Sequence, residues 1–154
     1  MKGYAQHYRI NYDKTTAPTI CLESFCTLLH IAASLRWDIQ HFNINMAFLH
    51  GILQENKTMY MEQPPGFEAP GKEDWVMKLI KSIYGMKQAS RVWNCMFDKA
   101  IKGWGFKCLS SEWCIYWWQT ATGTIIFAVH VNDIISIASN PSKNKSFKSL
   151  LKGK

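Results

Sequence analysis

Two stretches of the chain repeat apolar residues at the spacing of one face of an α-helix. The first runs from Leu22 to Trp37 and carries Glu23 in its first turn, where the helix dipole favours an anion. The second runs from Ala89 through Gly103 and leaves Lys99 and Lys102 on the polar face. The pattern therefore predicts two amphipathic helices.

Shorter segments have the alternation, or the Pro and Gly boundaries, that are typical of β-strands. The predicted strands are Asp38–Ile44, Met59–Met61, Trp75–Leu79, Cys114–Trp118, Thr124–Val131 and Ile134–Ala138. We expect a compact turn at Ala47–Gly51, a two-residue hairpin turn at Asn132-Asp133, and a basic tail or the start of a helix from Ser142. This order predicts an α+β fold with helices packed on an antiparallel sheet.

Length and composition favour one intracellular domain. The chain has 154 residues, of which 47% are apolar, enough to bury a single core. The residues from Met1 to Thr16 lack the hydrophobic centre of a secretory signal, and no apolar run is long enough to cross a bilayer. We therefore expect a protein that is not secreted, has no membrane partner and is cytoplasmic.

Charge and cysteine content narrow the choice of partners. The formal net charge of +7 favours polyanions, although this signal is weak alone. Five cysteines form no CxxC pair, and the histidines do not follow zinc-finger spacing. The sequence therefore supports neither a disulfide framework nor a zinc finger.

The candidate chemistry lies at the predicted hairpin, whose tip reads His130-Val131-Asn132-Asp133. Acidic residues at a hairpin tip, faced by a carboxylate on a neighbouring strand, suit two-metal nucleotidyl transfer, in which two Mg²⁺ ions stabilise the attacking and leaving oxygens. The strand that could face this tip contains Asn43. The arrangement is present in outline, but most of its negative charge is replaced by amides.

Five blocks, in order, resemble the copia-type reverse transcriptases of retrotransposon Pol polyproteins. His130-Val131-Asn132-Asp133 is similar to the family's Tyr-Val-Asp-Asp hairpin. The other blocks are Tyr12-Asp13 through Ala17-Pro18 together with Leu22-Glu23-Ser24, Ala47-Phe48-Leu49-His50-Gly51, Tyr60 through Phe67, and Ser82-Ile83-Tyr84-Gly85-Met86-Lys87-Gln88-Ala89-Ser90-Arg91-Val92-Trp93. The Tyr60 and Ser82 blocks are highly specific.

The resemblance implies a fold, partners and a cofactor. It implies a single partial reverse-transcriptase domain over 1–154, a palm with partial fingers. Residues 1–37 would be partial fingers and the first helix, 38–140 a palm-like core, and 141–154 a basic tail or truncated helix. The implied partners are an RNA or DNA primer–template and deoxynucleotides, the cofactor is Mg²⁺, and the thumb and RNase H portions of Pol are expected to be missing.

The same resemblance assigns roles to single residues. Asn43, Asn132 and Asp133 stand at the three catalytic carboxylate positions, and Asp133 is the expected metal ligand. Phe48 matches the aromatic residue that screens the sugar 2′-hydroxyl. Phe48 belongs to a predicted nucleotide- and template-binding set, whose other members are Lys87, Gln88 and Arg91. Gln88 would contact the nucleotide and the template, and Lys87 and Arg91 would flank the path of the template.

Two of the three catalytic positions therefore carry amides, which neutralise none of the charge on a metal ion. We expect RNA-directed DNA synthesis to be lost or strongly impaired. Other departures from the family are Cys21 in place of Arg, Ser90 in place of Pro and His130 in place of Tyr.

Several alternatives remain open at this point. The chain could extend primers slowly with amide ligands, bind nucleic acid without chemistry, or be a decaying reading frame without a selected function. His41 and His130 would form an accidental metal site if their imidazoles converged, whereas surface or hydrogen-bonded histidines are the more usual outcome. Most of the tryptophans are expected in the core rather than on a base-stacking surface.

Overall fold

The computed structural model describes residues 3–54 and 58–152, and the chain divides into two compact units. The first unit comprises Met1–Ala17 and Met46–Met96, and the second comprises Pro18–Asn45 and Phe97–Lys154. Each unit thus combines two stretches of chain that are distant in sequence.

Within the described residues, regular structure consists of helices and antiparallel strands, apart from a 3₁₀ turn at Gly3–Ala5. The elements in chain order are α1 (Leu22–Ser34), β1 (Asp38–Asn43), α2 (Ala47–His50), β2 (Met59–Glu62), β3 (Val76–Leu79), α3 (Ala89–Gly103), β4 (Lys107–Cys108), β5 (Ile115–Thr120), β6 (Gly123–His130), β7 (Asp133–Ala138) and α4 (Pro141–Lys152). The α+β class expected from the sequence is confirmed.

The second unit is built on a sheet that, in the described part of the chain, has five strands in the order β1-β7-β6-β5-β4. Every neighbouring pair is antiparallel. β6 and β7 form the hairpin, and β1 pairs with β7 over six residues, from Asp38 opposite Ala138 to Asn43 opposite Asp133. The end of β1 therefore lies beside the hairpin tip.

Helices cover both faces of this sheet, because the central strands β6 and β7 carry apolar residues on both faces. On one face, Leu28 and Ala32 of α1 pack with Ala128 and Ile137 of the central strands. On the other, Phe127 is fully buried and its ring lies 4.6 Å from that of Phe147 in α4. The buried layers on both sides hold the strands that carry the hairpin in a fixed register.

The first unit contains a second sheet, which in the described residues is the pair β2-β3. Met59 on β2 is buried and packs with Met86 and Ala89, the latter at the start of α3. The connection between the strands is organised by Gln63, whose side-chain amide donates to the backbone oxygens of Lys72 (2.7 Å) and Trp75 (3.0 Å). The Gln63 side chain thus provides hydrogen bonds for backbone groups of a proline- and glycine-rich loop that, within the described residues, has no β-sheet pairing of its own.

Three sequence predictions require correction. The hairpin turn is Val131-Asn132 rather than Asn132-Asp133, because Asp133 pairs with His130 on one side and Asn43 on the other and therefore begins β7. Ala47–Gly51 is not a plain turn but contains the short helix α2, closed by the Gly51 amide donating to the Phe48 carbonyl.

The first predicted helix ends at Ser34, not at Trp37. Arg36 has a left-handed φ of 55°, and the Trp37 amide donates back to the Ala32 carbonyl at 2.8 Å, a Schellman closure. Strand β4 was not predicted, because two residues are too few to show an alternation.

The remaining predicted elements are present, and the ends of the strands differ from the prediction by one or two residues. The second helix has the predicted bounds, and Gly105, just beyond it, has a φ of 91°. The basic C-terminal segment forms α4. No helix in the described ranges is both long enough and apolar enough to span a membrane.

Candidate active site at the β6–β7 hairpin

The hairpin brings together two of the three catalytic residues predicted from the sequence. Asn43, the last residue of β1, is the cross-strand partner of Asp133, the first residue of β7. Directly paired residues of an antiparallel ladder project from the same face, so both side chains emerge together. Asn132 occupies the turn itself, where its backbone carbonyl accepts a hydrogen bond from the Ile44 amide at 2.8 Å.

Asp133 is the centre of a polar cluster. Its Oδ1 atom accepts a hydrogen bond from Asn43 Nδ2 at 3.1 Å and lies 3.0 Å from His41 Nε2. His41 is two residues before Asn43 on the same strand, so it projects from the same face. His130, at the end of β6, is the partner of Asp133 on the hairpin side.

These neighbours favour the charged form of the carboxylate. The hydrogen bond from Asn43, followed by that from His41, lowers the pKa of Asp133 below its ordinary value. The side chains of His41 and Asp133 are 64% and 47% exposed, so water reaches the cluster. Asp133 is therefore an ionised, accessible carboxylate at neutral pH.

A small cavity adjoins this cluster within the second unit. Its volume is about 260 Å³ and its surface is mainly apolar. His41, His130 and Asp133 are among its lining residues, together with Ile20, Phe25, Ala128 and Ile135. The three titratable side chains therefore face one common space.

The strands that carry the cluster are anchored from the opposite face of the sheet. The fully buried Asn144 of α4 donates to the Asp38 backbone carbonyl at 3.1 Å and to its carboxylate at 2.6 Å. Its side-chain oxygen accepts a hydrogen bond from Ser136. Asn144 thereby connects β1 to β7. The sequence analysis did not predict this role for Asn144. The one indication in the sequence was a short polar side chain close to the apolar Phe147.

The residues present do not fit a pair of Mg²⁺ ions. Two such ions about 3.5–4 Å apart require several anionic oxygen ligands. Of the three positions that the family resemblance assigns to carboxylates, only Asp133 is acidic. Its Oδ1 atom already receives the hydrogen bond from Asn43. The donor set is thus too weakly charged for the two-metal arrangement.

The four residues predicted to bind nucleotide and template lie in the first unit. Phe48 packs on Tyr84 with ring centroids 5.0 Å apart, and its carbonyl accepts a hydrogen bond from the buried Ser82 hydroxyl. Gln88 is buried, and its amide oxygen accepts a hydrogen bond from Gln6 at 3.0 Å. Their binding roles stay predictions.

Lys87 and Arg91 also contact the N-terminal segment of that unit. The Lys87 ammonium donates to the Gln6 carbonyl at 3.2 Å, and Arg91 donates to the Thr16 carbonyl at 3.1 Å. Residues 6–16 are therefore hydrogen-bonded to the region where α3 begins, through the polar residues of the predicted path, Lys87, Gln88 and Arg91. The catalytic positions lie in the second unit.

Comparison with known proteins supports the family resemblance. The family described as reverse transcriptase (RNA-dependent DNA polymerase) matches residues 1–154. The chain is 37% identical over 154 residues to the retrovirus-related Pol polyprotein from transposon TNT 1-94 of Nicotiana tabacum, covering 99% of the chain and 11% of that protein. It is 33% identical over 141 residues to the retrovirus-related Pol polyprotein from transposon RE1 of Arabidopsis thaliana, and this match covers 92% of the chain and 10% of that protein.

The chain spans about a tenth of the length of these curated relatives. No solved structure matches. The full-length family match and the two Pol polyproteins lead to one assignment: the chain belongs to the reverse-transcriptase (RNA-dependent DNA polymerase) family, as a copia-type domain of the retrotransposon Pol class.

Proposed function

We propose that the inherited activity of this chain is RNA-directed DNA synthesis, and that the chain performs it poorly or not at all. The observation that carries the proposal is the pairing of Asn43 with Asp133 at the hairpin, where an amide donates to the remaining carboxylate. In this account, residues 1–37 supply partial fingers and the first helix, and residues 38–140 supply a palm-like core.

The expected defect follows from the missing charge. Two unit charges about 4 Å apart interact by roughly 4 kcal/mol at an effective dielectric constant of 20. Each 1.36 kcal/mol of transition-state stabilisation changes a rate tenfold. Even if solvent at the exposed hairpin screens half of the two lost interactions, the rate falls by roughly 10³-fold.

The partners under this proposal are a primer–template and deoxynucleotides. Phe48, held by the contact to Tyr84, would screen the sugar 2′-hydroxyl. Lys87 and Arg91 would lie along the template path, and Gln88 would contact nucleotide and template after its bond to Gln6 is exchanged. These roles depend on the family resemblance of the blocks that contain the residues.

Primer extension tests the proposal. The unaltered chain is compared with the double variant Asn43→Asp and Asn132→Asp, using an RNA template, Mg²⁺ and deoxynucleotides. We expect extension to rise by at least about 10²-fold on restoring the two carboxylates. The matched control is Asn140→Asp, which adds a carboxylate in the exposed segment before α4.

If the unaltered and the restored chains both extend the primer rapidly and at equal rates, the claim that the amides impair the site is refuted. If both are inactive while cooperatively folded, the inherited polymerase activity itself is refuted for this chain. A rise with Asn140→Asp of the same size would show that the effect is not specific to the hairpin.

A second candidate function, nucleic-acid binding without chemistry, is favoured by basic and aromatic side chains at the surface. In the first unit, the Lys72 ammonium lies 4.4 Å from the centroid of the Trp75 ring, which is 62% exposed. Phe67 in the same loop is 82% exposed. Exposed rings beside cations suit stacking on single-stranded nucleic acid, and the net charge of +7 favours its backbone.

Salt dependence tests this second candidate. Binding of a single-stranded RNA should weaken steeply between 50 and 200 mM salt, and Trp75→Ala should weaken it at both concentrations. Leu22→Ala, which truncates an exposed apolar residue of the second unit, is the control. Salt-insensitive binding, or no binding, would contradict the candidate.

A further inference from the structure

We propose that His41, Asp133 and the amide of Asn43 form a binding site for a divalent transition-metal ion of the Co²⁺, Ni²⁺ and Zn²⁺ class. The inference rests on the proposed function only for the location of the ancestral site. It concerns a different ion and a different donor set, and it requires no DNA synthesis.

The spacing of the donor atoms matches a metal shell. His41 Nε2 lies 3.0 Å from Asp133 Oδ1, and the terminal amide nitrogen of Asn43 lies 3.1 Å from the same oxygen. Ligands at about 2.1 Å from an ion and at right angles to one another are about 3.0 Å apart. Both pairs therefore already have the separation of neighbouring ligands on one octahedral ion.

Only small local changes are needed to admit the ion. Rotating the Asn43 amide by half a turn places its oxygen where its nitrogen now lies, because the two atoms occupy nearly equivalent positions. His41 binds through Nε2 once that atom is unprotonated. Both rearrangements leave the backbone pairing of Asn43 with Asp133 unchanged.

The surroundings leave room for the remaining ligands. The side chains of His41 and Asp133 are 64% and 47% exposed, so water can complete the shell. His130 lines the same cavity and is the cross-strand partner of Asp133, but it is not one of the proposed ligands. The β1–β7 ladder, anchored by Asn144, holds the donors on one rigid frame.

The donor types decide which ion is preferred. Mg²⁺ favours oxygen ligands and depends on their charge, and here a single carboxylate is present among the three donors. Imidazole suits Co²⁺, Ni²⁺ and Zn²⁺, whose affinities exceed those of harder ions for nitrogen-containing sites. Replacing two carboxylates by amides beside His41 therefore changes the preference of the hairpin from magnesium to a transition metal.

The third donor distinguishes this site from an ordinary metal cluster. In residues 3–54 and 58–152, no three histidine, cysteine or acidic side chains form a group that could hold a metal ion. The proposed site takes its third donor from the Asn43 amide, on the strand that aligns it with Asp133.

Calorimetric titration of the purified chain with Ni²⁺, and separately with Mg²⁺, tests the proposal without nucleotide or primer. We expect one Ni²⁺ to bind at least about 100-fold more tightly than Mg²⁺. His41→Gln should weaken Ni²⁺ binding at least about tenfold, because a direct ligand is lost. His30→Gln, which alters an exposed histidine of α1, should leave it unchanged.

Nuclear magnetic resonance locates the ion independently of the cysteine thiols. Paramagnetic Ni²⁺ should broaden the ring signals of His41 and the backbone amide signal of Asp133 before those of His7. Equal affinities of His41→Gln and His30→Gln, first broadening elsewhere, or Mg²⁺ binding as tightly as Ni²⁺ would each overturn the proposal.

The outcomes separate this inference from the proposed function. Ni²⁺ binding through His41 combined with no DNA synthesis by the restored chain would contradict the proposed function alone. Restored synthesis combined with no His41-dependent Ni²⁺ binding would contradict the metal site alone.

Discussion

Replacing Asn43 by aspartate places a second carboxylate directly across the ladder from Asp133. The variant exchanges a hydrogen bond of 3.1 Å for repulsion between two like charges. Two unit charges about 4 Å apart repel by about 1 kcal/mol in water and about 4 kcal/mol at an effective dielectric constant of 20. Because the Asp133 side chain is 47% exposed, the lower part of that range applies.

We therefore expect the Asn43→Asp chain to lose about 2 kcal/mol of unfolding free energy at pH 7, including the lost hydrogen bond. For a chain of this length, the midpoint of thermal unfolding should fall by roughly 4–8 °C. Mg²⁺ should reverse the loss in the variant, because the ion binds between paired carboxylates, and should leave the unaltered chain unaffected.

Thermal and urea unfolding, monitored by circular dichroism with and without 10 mM Mg²⁺, would measure both effects. Gln119→Glu, at an exposed position of β5, serves as the charge-matched control and should change stability by less than about 0.5 kcal/mol. An Asn43→Asp chain as stable as the unaltered one without Mg²⁺ would show that the two side chains do not face each other, and the reasoning would fail.

Three further predictions concern the framework of the site. Asn144→Ala should lower the free energy of unfolding, measured in urea, by about 3 kcal/mol, because Ser136 and Asp38 lose their buried hydrogen-bond partner. Ser146→Ala, on the exposed side of α4, should lower it by less than about 0.5 kcal/mol. Similar losses in the two variants would contradict the anchoring role of Asn144. The lowered pKa of Asp133 means that its ionised form stabilises the fold. The difference in unfolding free energy between the unaltered chain and Asp133→Asn should therefore shrink as the pH falls below about 4, the ordinary pKa of an aspartate, and then through the lowered folded-state pKa. A difference that grows as the pH falls over that range would contradict this. Val131 has a left-handed φ of 60° at the hairpin turn, so Val131→Gly should raise the urea midpoint by the equivalent of about 0.5–1 kcal/mol, and a lower midpoint would refute backbone strain there.

The sequence predicted best those features that depend on local periodicity. The second amphipathic helix has the predicted bounds, Ala89–Gly103, because its apolar stripe and the following glycine act within a few residues. The order of the elements was also recovered, apart from the short elements α2 and β4. The hairpin turn was misplaced by one residue, because the left-handed position is occupied by Val131, a residue type that rarely adopts it.

Long-range register was not available from periodicity. The family resemblance assigned Asn43 and Asp133 to one site, but it did not show that the two residues are direct cross-strand partners. The pairing of Asn43 with Asp133 links strands separated by ninety positions, and it also determines that His41 reaches the same carboxylate. From the sequence, a metal site formed by His41 and His130 was only an open possibility. The anchoring of β1 and β7 through Asn144 likewise depends on tertiary packing that periodicity does not encode.

The central claim is that amides at positions 43 and 132 prevent this reverse-transcriptase domain from using Mg²⁺. A magnesium titration of deoxynucleotide incorporation, with primer–template present, tests it most directly. The account predicts no saturable response to Mg²⁺ for the unaltered chain and a saturable response after Asn43→Asp and Asn132→Asp. Saturable, rapid incorporation by the unaltered chain at ordinary Mg²⁺ concentrations would contradict it.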